Sequence, residues 1–133
     1  EVDGLEAPEA QSNEESVLSA HPDANVFVGV GAGAMIGSNE ALLQKYGKGK
    51  IPENVGVITT DVTEQQLNSL KAGNEAVRSI VGFEGSNEDT AKACMKMYER
   101  ILSGEKFEGD DHNVYRTIKP ITTDNIDEIL KGM

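Results

Sequence analysis

Apolar and polar positions in this chain alternate between two periods. Val26, Phe27, Val28 and Val30 form a short β-branched and aromatic run, the pattern of a buried strand. Gly29, Gly31 and Gly33 then remove side chains where the chain must turn. From Ala34 the spacing is helical: Ile36, Leu42, Leu43 and Tyr46 share a face, and Gly47 is a natural stop. The same alternation repeats. Val55–Thr60 reads as a second strand ending at Asp61, and Thr63-Glu-Gln-Gln66 has the capping-box spacing of a helix start. That helix carries Leu67 and Leu70 inward and closes at Gly73. Ala76–Val81 is a third strand, Gly82–Gly85 a turn, and Ser86 or Asn87 the cap of the longest helix. On that helix Ala91, Cys94, Met95, Tyr98, Ile101 and Leu102 follow one buried stripe.

The flanks are less regular. Val2, Leu5 and Ala7 among acids and Pro8 suggest the end of a strand and a loop. Ser12-Asn-Glu-Glu15 matches a capping box, so a short helix with Val17 and Leu18 inward is expected to run to His21-Pro22. After a polar loop at 105–113, Val114–Ile121 reads as extended and broken at Pro120. Asp124 is then expected to cap a last helix bearing Ile126, Ile129 and Leu130. Strands alternating with helices predict one α/β domain over 1–133: a three-layer αβα arrangement on a parallel, flavodoxin/Rossmann-like sheet with right-handed crossovers.

Composition narrows the function. A net charge of −11 excludes nucleic-acid binding by this segment, because phosphate contacts need clustered Lys and Arg. No apolar run reaches membrane-spanning length. The lone Cys94 lies on the apolar stripe and reads as a small core residue. His21 reads as a surface residue at a helix end, and the adjacent Asp110, Asp111 and His112 as a solvated loop. No Ser/His/Asp, Cys/His or metal-ligand set is visible, so the expectation is a non-enzyme with no cofactor and no metal.

Candidate chemistry gathers at the strand ends. In a parallel sheet Gly29–Gly33, Thr59–Asp61 and Gly82–Gly85 open on one edge, where ligands bind in such folds. Thr60, Asp61, Glu84 and Phe83, beside the bare backbone of Gly31 and Ala32, suit a polyhydroxylated ligand: carboxylates accept paired hydroxyl bonds and rings pack on apolar sugar faces. Asp61 is equally suited to cap the Thr63 helix, Glu84 to face solvent and Phe83 to pack the rim. A nucleotide-binding enzyme domain competes, since Gly31-Ala-Gly33 with Gly37 approaches a dinucleotide fingerprint and Asp61 closes the next strand. The spacing departs from G-x-G-x-x-G, and a single further βα unit follows.

The segment VLSAHPDANVFVGVGAGAMIGSNEAL resembles type I periplasmic solute-binding proteins, the ribose-binding-protein-like group. VGVITTDVTEQQLNSLKAG, AVRSIVGFEGSNEDTAKACMKMYERILSGEKF and RTIKPITTDNIDEIL are similar to that group's following strand–helix units and closing segment, in the correct order. The resemblance implies most of the C-terminal lobe, with the lobe's first strand and the N-terminal lobe lying before residue 1. It implies a sugar or similar small solute held between two lobes, delivery to a membrane ABC permease, and an extracytoplasmic location. Asp61 falls on the family's ligand-binding aspartate, Gly31-Ala32 on its Asn-Asp, and Phe83 or Glu84 near its third-strand polar ligand. Bare glycine there leaves room for a bulkier ligand, or for the other lobe to carry most contacts. The effector-binding domains of lac-repressor-type regulators share the fold and are the alternative. Loss of a first strand would bare a sheet edge, so a homodimer through that edge is also expected.

Overall fold

The computed structural model describes residues 6–131, so Val2 and Leu5 lie outside the described residues. The element order is α1 (Ala7–Ala20), β1 (Val26–Gly29), α2 (Ala32–Tyr46), β2 (Gly56–Thr60), α3 (Glu64–Ala72), β3 (Val77–Phe83), α4 (Asn87–Leu102), β4 (Ile118–Ile121) and α5 (Ile126–Lys131). The four strands form one sheet in the order β1-β2-β3-β4. The first three strands run parallel, as the alternation requires, and β4 runs antiparallel to β3. The sheet is therefore mostly, not wholly, parallel.

The core lies on one face of the sheet. Phe27, Val57 and Val77 stand in register across β1–β3, and Thr59 and Ile80 repeat the line one step on, with Ile121 from β4 beyond them. Met35 and Leu42 of α2, Leu67 and Leu70 of α3, and Ile126 of α5 close over them. Burying side chains of this size stabilises by about 1.5–3 kcal/mol each, enough to seat the helices without strong intrinsic propensity.

The other face is different. Val26 and Val28 of β1, and Val30 just past its end, are exposed, Val28 at 73%, so β1 is an edge strand buried on one side and not the fully buried strand its composition predicts. The predicted α4 is present, but none of its residues is buried. Its apolar stripe faces outward, with Tyr98 at 61% and Leu102 at 84% exposure, and Cys94 is exposed as well. Periodicity identifies an amphipathic helix without naming the surface that covers its stripe, and among the described residues nothing does.

α1 begins at Ala7, five residues before the expected cap at Ser12. Pro8 sits in its first turn, where a missing N–H costs nothing. Ser12 is thus interior to the helix, and its carbonyl accepts from the Ser16 hydroxyl at 2.9 Å. His21 ends the helix as expected. α1 lies against α2 at Gly37: a Cβ there would come within 2.6 Å of Ala10 Cβ and of the Gln11 nitrogen. One turn further along α1, buried Glu14 accepts from the Ser38 hydroxyl at 3.0 Å, and its second oxygen has no partner among the described residues. Desolvation pushes this carboxyl up to about 7, against the opposing pull of the Ser38 bond.

Candidate functional site

Because β1, β2 and β3 are parallel neighbours, the turns after Gly29, Thr60 and Phe83 open on one rim. A hydrogen bond ties the β1–α2 turn to the next strand: the Gly31 amide donates to the Thr60 hydroxyl at 3.0 Å. Gly31 has φ +100°, a conformation closed to most side chains. A Cβ at this position would lie 3.8 Å from Asp61 Oδ2, so the Asp61 carboxylate stands beside bare backbone. Ala32 follows as the first residue of α2.

Asp61 does not cap α3. Thr63 is the cap, with its hydroxyl accepting from the Gln66 amide while the Gln66 side chain returns to the Thr63 nitrogen. Asp61 instead has φ +66°, the one left-handed non-glycine residue described, and its exposed carboxylate makes no hydrogen bond among the described residues. A non-glycine residue in this region is sterically costly, and Asp bears the cost better than most. Such local strain gathers where function holds it in place.

Behind the rim sits a residue whose reach sequence reasoning missed. Gln66 is fully buried, and besides closing the cap its Nε2 donates to the Thr60 carbonyl at 3.2 Å and to the Thr59 hydroxyl at 3.4 Å. The capping-box spacing signals the first role, whereas the second needs the fold. Gln66 therefore fixes the peptide that leads directly into Asp61.

The third arm departs from expectation in one respect. β3 runs on through Gly82 to Phe83, which pairs with Ile118, so Phe83 belongs to the strand end and not to a turn. Its half-exposed ring lies under the Arg116 guanidinium at 5.0 Å. Arg116 Nη2 donates to the Glu84 carbonyl at 2.7 Å, and the Glu84 amide donates to the Thr117 carbonyl at 2.9 Å. The Glu84 carboxylate is exposed and unbonded among the described residues. Close by, the Ser86 amide and hydroxyl hold Asp89 below the usual carboxylate range, with the charges of Lys92 and Arg116 adding to the effect.

A separate concavity of about 640 Å³ lies between α2 and α3, lined by Asn39, Glu40, Lys48, Glu64 and Glu75 among others. Three of its polar groups bond to one another or to backbone: Asn39 donates to Glu75 and accepts from the Ala76 amide, and Lys48 pairs with Glu75 at 2.7 Å, holding that carboxyl below its ordinary value. It lies between two helices and contains none of the strand-end residues Gly31, Thr60, Asp61, Phe83 or Glu84. Among the described residues no group of three or more His, Cys, Asp or Glu is placed to hold a metal ion, and Asp110 is engaged by Asn113 and Tyr115. The rim offers hydroxyls, carboxylates, a ring and a guanidinium beside bare backbone.

No protein-family model and no curated protein sequence matches the chain. Solved structures do. A glucose-galactose binding protein from Geobacillus stearothermophilus superposes over 88% of this chain with TM-score 0.70 at 21% identity. A solute-binding protein of an ABC transporter from Agrobacterium vitis, with bound allitol, matches 96% of the chain with TM-score 0.75 at 11% identity. The 5-methylthioribose transporter solute-binding protein from Thermotoga lettingae gives 0.72 at 18% identity over 96%. The fold is that of one lobe of a sugar solute-binding protein. The chain spans about two fifths of these proteins, 38%, 41% and 37% of their lengths in turn. At these identities the likeness is one of fold.

Proposed function

We propose that this lobe binds one side of a sugar or similar polyhydroxylated solute and performs no catalysis. The observation that carries the reading is Asp61: an unpartnered carboxylate on a left-handed backbone, braced from behind by Gln66 and flanked by the Thr60 hydroxyl and the bare turn at Gly31. A carboxylate in this setting accepts two hydroxyl hydrogen bonds, while the Phe83 ring offers an apolar platform. Gly31 and Ala32 shape the floor, and Glu84 lines the outer edge.

Only one wall of a cleft is present, so a companion lobe of the same protein supplies the other, and solute affinity belongs to the closed pair. The loaded protein serves a membrane ABC permease outside the cytoplasm, a reading supported by the similar solved proteins, which are ABC transporter solute-binding proteins, one of them periplasmic. The free edge of β1, with its row of exposed valines, is where a preceding segment of the protein adds, or, in the isolated lobe, a second copy.

The test is thermal-shift screening of the complete gene product against sugars and polyols, followed by Asp61→Ala in the responding case. A bound ligand at a hundredfold excess over Kd stabilises by about 2.7 kcal/mol, an easily measured shift. Absence of any response across the panel, or a response that Asp61→Ala leaves intact, rejects the assignment.

A further inference from the structure

The three arginines of the chain are used in three different ways. Arg78 spends its guanidinium on backbone: Nε donates to Val55, Nη1 to Glu75 and Nη2 to Pro52 carbonyls. Arg100 lies over the Phe107 ring at 4.6 Å and is neutralised by Glu105 at 2.7 Å. Arg116 lies over a ring in the same way, but among the described residues no carboxylate oxygen comes within 4.0 Å of it. One bond, from Nη2 to the Glu84 carbonyl, fixes it, and Nε and Nη1 have no protein acceptor among the described residues.

That is unusual here on charge alone. Acidic residues outnumber basic ones by 23 to 12, so a guanidinium has abundant partners to choose from. Asp89 lies near enough to feel the charge, yet its Oδ2 is taken by Ser86 in the cap of α4. The stack on Phe83 and the Glu84 bond hold the group in place at the rim. A guanidinium carries five N–H donors in a rigid fork that matches a carboxylate or phosphate.

We propose that Arg116 is a specificity residue of the solute site, reading an anionic group, carboxylate or phosphate, on a polyhydroxylated ligand. The proposal rests on the solute-binding reading above. Asp61 and Arg116 divide the work by position. Thr60 pairs with Val81 across β2 and β3, and Phe83 lies two residues beyond Val81. At a strand spacing of about 4.8 Å, Asp61 and the Phe83–Arg116 stack are separated at the backbone by roughly 5–8 Å, the length of a monosaccharide. Hydroxyls at one end meet Asp61, and the acidic group at the other meets the fork over the ring.

The experiment measures affinities of the complete gene product for matched sets: a neutral sugar, its uronate or aldonate, and its phosphate. The acidic member of the set is expected to bind at least about tenfold tighter than the neutral one, and its affinity to fall with added salt while the neutral one does not. Arg116→Gln is expected to erase that ratio, whereas Arg116→Lys retains part of it. The uronate and phosphate arms identify which anion is read. Should Arg116→Gln not fold, the Arg116→Lys ratio against wild type decides, because Lys keeps the charge and loses the fork. Equal binding of neutral and acidic ligands by the wild type, or an unchanged ratio in the folded variants, overturns the role of Arg116 and leaves the polyol reading standing. No binding by any member of the sets overturns both.

Discussion

The Gly31 amide donates to the Thr60 hydroxyl at 3.0 Å, and this one bond ties the first two arms of the rim together. It aligns a turn that lacks side chains with the strand that presents Asp61. Thr60→Val keeps the shape and removes the acceptor. Stability is expected to drop by about 1 kcal/mol in a denaturant titration. Solute affinity is expected to fall further, since the turn is then free to leave Asp61. Equal wild-type and variant affinities contradict this coupling.

Asp61 holds a backbone conformation that glycine adopts freely. Asp61→Gly is therefore expected to leave the melting temperature unchanged or to raise it, by up to about 1 kcal/mol in stability, while abolishing the ligand-induced shift. Calorimetry with and without solute separates the two effects. A clear loss of intrinsic stability shows that the carboxylate supports the fold.

Gly37 seats α1 on α2 at a distance that no side chain tolerates. Gly37→Ala is expected to destabilise by about 1–3 kcal/mol through overpacking, despite the better helix propensity of Ala. A stabilised variant in urea titration places the helices further apart than described.

Glu14 makes the same contact sensitive to pH. Its folded carboxyl titrates at about 7, above the ordinary 4.5, so the folded state holds the proton more tightly than the unfolded chain. The contribution is whole below about pH 4.5, declines as pH rises toward 7 and is gone above it. Glu14→Gln is expected to flatten that slope and to stabilise the protein at pH 8 by on the order of 2 kcal/mol, a figure reduced from the full shift for partial solvation. Denaturation midpoints at pH 5 and pH 8 for both proteins check it; parallel pH profiles refute it.

Val28 and Leu102 stand on apolar surfaces that nothing described covers. Expressed alone, the lobe is expected to associate through the β1 edge, and Val28→Lys to return it toward monomer in light scattering. A monomeric wild-type lobe at high concentration rejects the association.

Most of the scaffold was legible because local signals agreed with one another. Phe27, Val57 and Leu67 fall in the periods of their elements, and Thr63, Gly73 and Ser86 punctuate them by known stereochemistry. Ser12 misled because its capping spacing is also compatible with a helix interior, and the decisive Pro8 lies in the turn before it. The Cys94–Leu102 stripe misled for another reason: amphipathicity records that a face was made to be covered, and the cover is not among the described residues. At the rim, the shared edge followed from strand direction alone. The left-handed backbone of Asp61, the inner bonds of Gln66 and the Phe83–Arg116 stack did not, because each joins residues from different turns whose meeting only the folded sheet determines.

Gln66 has a consequence beyond bracing. A single amide group closes the first turn of α3 and grips the Thr60 carbonyl, so the folding of that helix and the readiness of the rim share one hinge pin. Substitutions that fray α3 at its start will slacken solute capture without touching the solute. Conversely, an occupied cleft will slow amide exchange in a helix the ligand never reaches.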